Sequence, residues 1–453
     1  MISSLLFTCS NFLFTGINPL LTSPILQPEN QSSIIEINEH FKATFGPSPQ
    51  PFKISVDPDF IEQTTLKASL TRYTTDVNQP DFTDGPPRHN VTTIRDYWVN
   101  NYSWFSVQDQ INKDLSQYTT TVYADGNYTY PIPLHFVHHK SPRSDAIPLL
   151  FIHGWPGSFL EVSKIINHLT NPSNTSMPAF HVVAPSLPGY GFSPAPQYPG
   201  LGLRETGQAF NKLMIEQLGY SKYVIQGGDF GGFTLRYMAG QFPSSVVSSL
   251  SNFFIVPPNS TDLERYANGT TSEEENFQIG RLDMYNNYYA GYRDIQQTRP
   301  EQLAIAMTDS PVGFAAWIYD FMFSHVDGYV WTPEEIITWA MMYYIQGPYA
   351  GMRMYKELAK AGTWLNEGFL HISNPVGVIA FPKDLGYRTP TSWLQRWANV
   401  TYEVNHSRGG HFAAHEVPDL LLENIRTFWG DSSLSNADQF KEQLDHLWMS
   451  DEL

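Results

Sequence analysis

The sequence predicts an α/β fold, a doubly wound sheet of strands alternating with helices, interrupted by one long helical insertion. Short apolar runs at 147–152, 180–184, 223–226 and 375–380 each stop at a turn rich in Gly or Pro, as strands buried on both faces do. Stretches of helical spacing at 205–218 and 233–239 separate them, and that alternation is the mark of a doubly wound sheet. From 257 to 368 the rhythm is lost. A segment rich in Tyr, Met and Trp takes its place, with helical spacing over 333–344, and reads as a helical cap over the sheet.

At 453 residues the chain has material for a large core and an inserted or appended unit. A formal charge of -17 and the lack of any basic run exclude nucleic acid as a partner, because neutralising phosphates needs clustered Lys and Arg. Aromatic content of 14% fits a broad apolar cavity and equally a packed aromatic core. The single cysteine, Cys9, rules out an intrachain disulfide and any multi-cysteine metal site.

Residues 1–25 read as a signal or anchor segment, with an apolar stretch at 5–14 broken by Thr8, Ser10 and Asn11. Nine Asn-x-Ser/Thr sequons, at Asn30, Asn90, Asn101, Asn127, Asn174, Asn259, Asn268, Asn399 and Asn405, suit a glycoprotein of the secretory pathway. The tetrapeptide 450–453, Ser-Asp-Glu-Leu, resembles an endoplasmic-reticulum retention signal and departs from it at the first position. Secretion and retention in the endoplasmic reticulum lumen both stay open, as do peripheral membrane association and a homodimer.

An N-terminal region at 26–140 begins as a polar linker with Pro28, Pro47 and Pro49. It ends in the stretch 129–139, which reads as an edge strand with prolines at its start. His135, His138 and His139 in that strand raise the question of a metal. Neighbouring strand residues point to opposite faces, and no acid or thiol completes a ligand set, so they read as structural. The core then runs over 141–256 and 369–449, with the insertion at 257–368 between its two parts.

The stretch 223–232, Tyr-Val-Ile-Gln-Gly-Gly-Asp-Phe-Gly-Gly, has the outline of a strand turning sharply into a helix to present one side chain above the sheet. Gly227, Gly231 and Gly232 supply the missing Cβ groups that such a turn needs. The residue presented is Asp229, a carboxylate suited to attack an electrophilic carbon and form an ester. A phosphate-cradling turn is the competing reading, but neither glycine-rich phosphate pattern is present and an acid would repel the ligand. Two more residues follow predicted strands, Asp384 after the run 375–380 and then His411, with Gly409-Gly410 before it, after a strand near 400–404. The order of nucleophile, acid and histidine matches the catalytic triad of α/β-hydrolases.

These stretches, together with His153-Gly154-Trp155-Pro156, Gly189-Tyr190-Gly191-Phe192-Ser193, Phe381 to Asp384 and Gly409 to Ala414, resemble an epoxide hydrolase of the microsomal type. That is an α/β-hydrolase fold with an N-terminal meander, here 26–140, and an inserted helical cap, here 257–368. The resemblance implies Asp229 as nucleophile, His411 as base, Asp384 as the acid that orients it, and the backbone N–H groups of Trp155 and Phe230 as an oxyanion hole. It implies two cap tyrosines as acids on the epoxide oxygen. Tyr292 and Tyr355 fit the local patterns, with Tyr288, Tyr289 and Tyr344 as competitors. The implied reaction joins a small apolar epoxide and water into a vicinal diol through an aspartyl ester, with no cofactor and no metal. Two other readings stand beside it: a haloalkane dehalogenase with the same triad, and a non-catalytic binding protein of this fold.

Overall fold

The computed structural model describes residues 40–126 and 128–440. The segment 1–25 with Cys9, the sequons Asn30 and Asn127, and the tetrapeptide 450–453 lie outside the described residues. Nine strands are seen among those described: β1 (Gln50–Phe52), β2 (Gln117–Tyr123), β3 (Pro131–His139), β4 (Ile147–Ile152), β5 (Phe180–Pro185), β6 (Tyr223–Gly227), β7 (Val246–Ser251), β8 (Ile372–Ala380) and β9 (Ala398–Asn405). They form one mixed sheet in the order β1-β2-β3-β5-β4-β6-β7-β8-β9. β1, β2, β3 and β5 pair antiparallel in turn, and from β5 onward the strands β4, β6, β7, β8 and β9 follow in parallel.

The sheet explains the apolar runs. Leu149 of β4 pairs with Val182 on one side and Val224 on the other, and every residue of β4, β6 and β7 is buried. With helices on both faces no strand residue there meets water, so the pattern is continuous rather than alternating. The expectation of an edge strand at 129–139 is corrected, because β3 lies between β2 and β5. The prolines are nevertheless placed as their chemistry demands. β5 pairs only with Phe136 to His139, which leaves the half holding Pro131 and Pro133 with β2 as its sole strand neighbour.

Three helices in the N-terminal region, Pro58–Ser69, Arg88–Asn100 and Trp104–Asp114, were not legible as helices. Their fully buried stripes are short, Ile94 with Trp98 and Trp104 with Ile111, and their other apolar residues, such as Phe60, Val91 and Val107, are only partly buried. They reach the insertion, where Tyr97 donates to Glu334 at 2.8 Å and Lys67 meets Asp309 at 2.7 Å. The histidines of β3 are structural: His135 lies between Ser186 and Gln117, and His138 bonds to Tyr220.

Between β7 and β8 the chain forms the helices Ser260–Ala267, Glu273–Met284, Gly291–Thr298, Pro300–Asp309, Pro311–Ser324, Pro333–Tyr344 and Tyr349–Lys360. Their starts are written in the sequence. Asn259 with Asp262, Ser272 with Glu275 and Thr332 with Glu335 form capping boxes, and Pro300, Pro311 and Pro333 open helices. At the root of this cap, Arg396 grips buried Asp262 with both terminal nitrogens, the longer contact being 2.7 Å. Further along, Tyr343 Oη donates to Gly157 O at 2.6 Å and Tyr190 Oη to Gly351 O at 2.9 Å, tying cap to core.

Candidate active site

β6 ends at Gly227, and helix Phe230–Gln241 starts three residues later. Asp229 occupies the turn with φ 49° and ψ -122°, a backbone conformation that non-glycine residues rarely adopt. The turn is tight enough that a Cβ on Gly231 would lie 2.0 Å from Ile152 O. Gly154, at the end of β4, is constrained by the site itself, since a Cβ there would lie 2.1 Å from Asp229 Oδ1.

The same approach puts the Trp155 backbone N–H 2.7 Å from Asp229 Oδ1. The Phe230 N–H also bonds to this carboxylate, which sits at the positive end of helix Phe230–Gln241. Burial raises the Asp229 carboxyl above the usual carboxylate range, while His411 and the two N–H groups pull it back. Asp229 Oδ2 is 3.7 Å from His411 Nε2.

His411 lies in the loop after β9, where its backbone N–H donates to His325 O of the cap at 2.9 Å. Its Nδ1 is 3.1 Å from Asp384 Oδ1, and Asp384 follows β8, as the spacing predicts. Asp384 Oδ1 also accepts from the Leu385 N–H at 2.7 Å. From the cap, Arg281 donates to the carbonyls of Pro382 and Asp384, each at 2.7 Å, and so pins that loop. Burial alone would lower the His411 imidazole, but the carboxylates of Asp384, Asp229 and Glu161 outweigh it and hold it up at about 9.

The cap closes the site with aromatic rings. Tyr292 stacks on Trp155 at 5.2 Å, and Tyr355 meets the edges of Trp155 at 5.6 Å and Phe230 at 4.8 Å. The two tyrosine rings are 5.9 Å apart. Burial pushes both phenols well above their ordinary value, and the Asp229 charge adds to the effect, so both keep their protons at neutral pH. The competing tyrosines are elsewhere. Tyr288 and Tyr289 are exposed, and Tyr344 donates to Thr308 O.

The structure thus brings Asp229, His411, Asp384, Trp155, Phe230, Tyr292 and Tyr355 into one constellation. It adds two residues that sequence reasoning missed. Glu161, on the turn after β4, hydrogen-bonds the backbone of Gly154, and burial with the Asp229 charge pushes its carboxyl up to about 8. Its spacing from Trp155 within the same loop was the available signal. Tyr285 bonds to Tyr292 at 2.8 Å, and nothing in its sequence surroundings sets it apart from its tyrosine neighbours.

Comparison with known proteins gives the family. The family model "Epoxide hydrolase N terminus" matches residues 49–162, and that of the alpha/beta hydrolase fold matches 147–272. The chain is 31% identical to juvenile hormone epoxide hydrolase 1 of Ctenocephalides felis, covering 84% of this chain and 85% of that one. It is 30% identical to epoxide hydrolase 1 of Sus scrofa, over 84% and 89%. The solved structure of Aspergillus niger epoxide hydrolase is similar with a TM-score of 0.72 at 28% identity, covering 87% of this chain and 96% of that one. By its fold and its relatives, the chain belongs to the α/β-hydrolase-fold epoxide hydrolases and is an enzyme whose substrates are an epoxide and water.

Proposed function

We propose that the reaction runs through a covalent ester on Asp229. The observation that carries this is the asymmetry of the carboxylate: Oδ1 is held by the Trp155 N–H at 2.7 Å, and Oδ2 faces His411 Nε2 at 3.7 Å. Oδ2 attacks one epoxide carbon, and the ring C–O bond breaks. Tyr292 and Tyr355 stabilise the oxygen that leaves, and protonated phenols suit this because the strained ring needs only a proton or hydrogen bond at its developing alkoxide.

Ester formation removes the Asp229 charge, one of those that keep His411 protonated; the imidazolium then loses its proton to solvent, and the neutral imidazole can accept a proton from water. That water attacks the Asp229 carbonyl carbon. The oxyanion forms at Oδ1, already bonded to the N–H of Trp155, and Asp384 stabilises the imidazolium. The products are a vicinal diol and the original carboxylate. His411→Gln protein mixed with an aryl or terpene epoxide should gain the mass of one epoxide on the peptide holding Asp229. An unmodified peptide, with diol still forming, would refute the ester.

We also propose passage through the secretory pathway with N-glycans. Besides the number of sequons, their position supports this: Asn101, Asn174, Asn259, Asn268, Asn399 and Asn405 are exposed.

A further inference from the structure

Helix Glu273–Met284 runs on into a single π-helical turn, Tyr285–Tyr289, before Gly291–Thr298 begins. Such a turn carries an extra residue and re-aims the side chains around it. Here it sends Tyr285 inward, 5% exposed, while Tyr288 at 80% and Tyr289 at 51% face solvent. Tyr285 Oη comes to 2.8 Å from Tyr292 Oη, and the Arg293 guanidinium lies 5.4 Å over the Tyr285 ring. Burial pushes the Tyr285 phenol up to about 12 and Tyr292 well above its ordinary value, so at neutral pH this hydrogen bond joins two protonated phenols.

One proton lies between the two oxygens and the other is available to a third group. Its owner decides what Tyr292 can do. With Tyr292 as donor to Tyr285, its proton is turned away from the epoxide. With Tyr285 as donor, the Tyr292 proton stays free for the site, and the Tyr292 oxygen gains a donor of its own.

Resting on the assignment of Tyr292 as an acid toward the epoxide oxygen, we propose that Tyr285 is a positioning residue that donates its hydrogen bond to Tyr292 and directs the Tyr292 proton to the epoxide. As the ring C–O bond breaks and the alkoxide takes that proton, negative charge grows on the Tyr292 oxygen. The bond from Tyr285 strengthens, because hydrogen bonds to a charged acceptor are roughly twice as strong as neutral ones. Tyr285 keeps its proton throughout. The water consumed in ester hydrolysis supplies two protons, one to the ester oxygen leaving as the second hydroxyl and one that restores Tyr292.

The test is single-turnover kinetics of Tyr285→Phe, Tyr292→Phe and the double variant, with ester formation and ester hydrolysis timed separately. Tyr285→Phe should slow ester formation by roughly tenfold and leave hydrolysis at the wild-type rate. In the Tyr292→Phe background the same change should matter by less than about twofold, because the group it serves is gone. Wild-type or faster ester formation in Tyr285→Phe overturns the proposal alone, provided Tyr292→Phe is slow. So does an equal loss in both steps, which would mean that Tyr285 only holds the cap in place, or an undiminished loss in the double variant. A wild-type rate in Tyr292→Phe overturns the assignment of Tyr292 itself, and this proposal with it.

Discussion

The backbone N–H of Trp155 donates to Asp229 Oδ1 at 2.7 Å, so in the free protein the carboxylate already fills the place where an oxyanion would be stabilised. This fixes the carboxylate plane before any substrate arrives. It also makes the two oxygens inequivalent, because only Oδ2 is left facing His411.

The cap tyrosines should act on the first step only. Tyr292→Phe and Tyr355→Phe each remove one hydroxyl from a ring packed on Trp155, so the fold should persist. Loss of a donor to developing oxyanion charge costs roughly 10²- to 10³-fold in rate. Stopped-flow measurement of ester formation should show that loss in each variant. A wild-type rate in either would remove that tyrosine from the reaction.

Both steps should speed up as pH rises, each through a different group. Ester formation needs the Asp229 carboxylate, whose pKa is raised by burial, so it should fall as pH drops through a value above the ordinary carboxylate range. Ester hydrolysis needs neutral His411. That residue is held at about 9 in the free protein with help from the Asp229 charge, and the charge is absent from the ester. Hydrolysis should therefore rise with pH, with a midpoint below that of His411 in the free enzyme. Rapid-quench profiles of the separate steps check this, and a hydrolysis midpoint at or above the free-enzyme value would contradict it.

Much of the site could be read from the chain because its parts are local. The glycines about Asp229 and the loops holding Asp384 and His411 follow recognisable strands, and backbone sterics leave such turns few residue choices. Tyr355 and Tyr292 needed the family resemblance, since helical spacing in a tyrosine-rich cap does not say which phenol faces inward. Tyr285 was hidden for a related reason. A π-helical turn shifts the helical phase, so counting at 3.6 residues per turn fails there. In the N-terminal region the helices escaped notice because their apolar stripes are short. The place of β3 inside the sheet escaped because pairing with distant β5 leaves no local trace.

The root of the cap makes a stability prediction. Asp262 is 2% exposed, and Arg396 meets it with two nitrogens. Arg265 stands 3.9 Å away and is itself engaged with Glu275. Arg396→Ala leaves a buried carboxylate short of its main partner and should destabilise the protein by about 3 kcal/mol, seen as a lowered midpoint in denaturant unfolding. An unchanged midpoint would mean that Arg265 or water replaces the contact fully.

Protein made in its native host should carry N-glycans on the exposed sequons. Endoglycosidase treatment should increase its mobility on a denaturing gel. No shift, together with a cytosolic distribution, would count against the secretory route.

The sharpest experiment follows the oxygen. In one turnover in ¹⁸O-water with enzyme in excess, water attacks the Asp229 carbonyl, so the oxygen that enters the diol must come from the carboxylate. The diol should be largely unlabelled, and mass spectrometry should find the label in the peptide holding Asp229. A fully labelled first-turnover diol with unlabelled Asp229 would mean that water attacks the epoxide directly, and would contradict a nucleophilic Asp229.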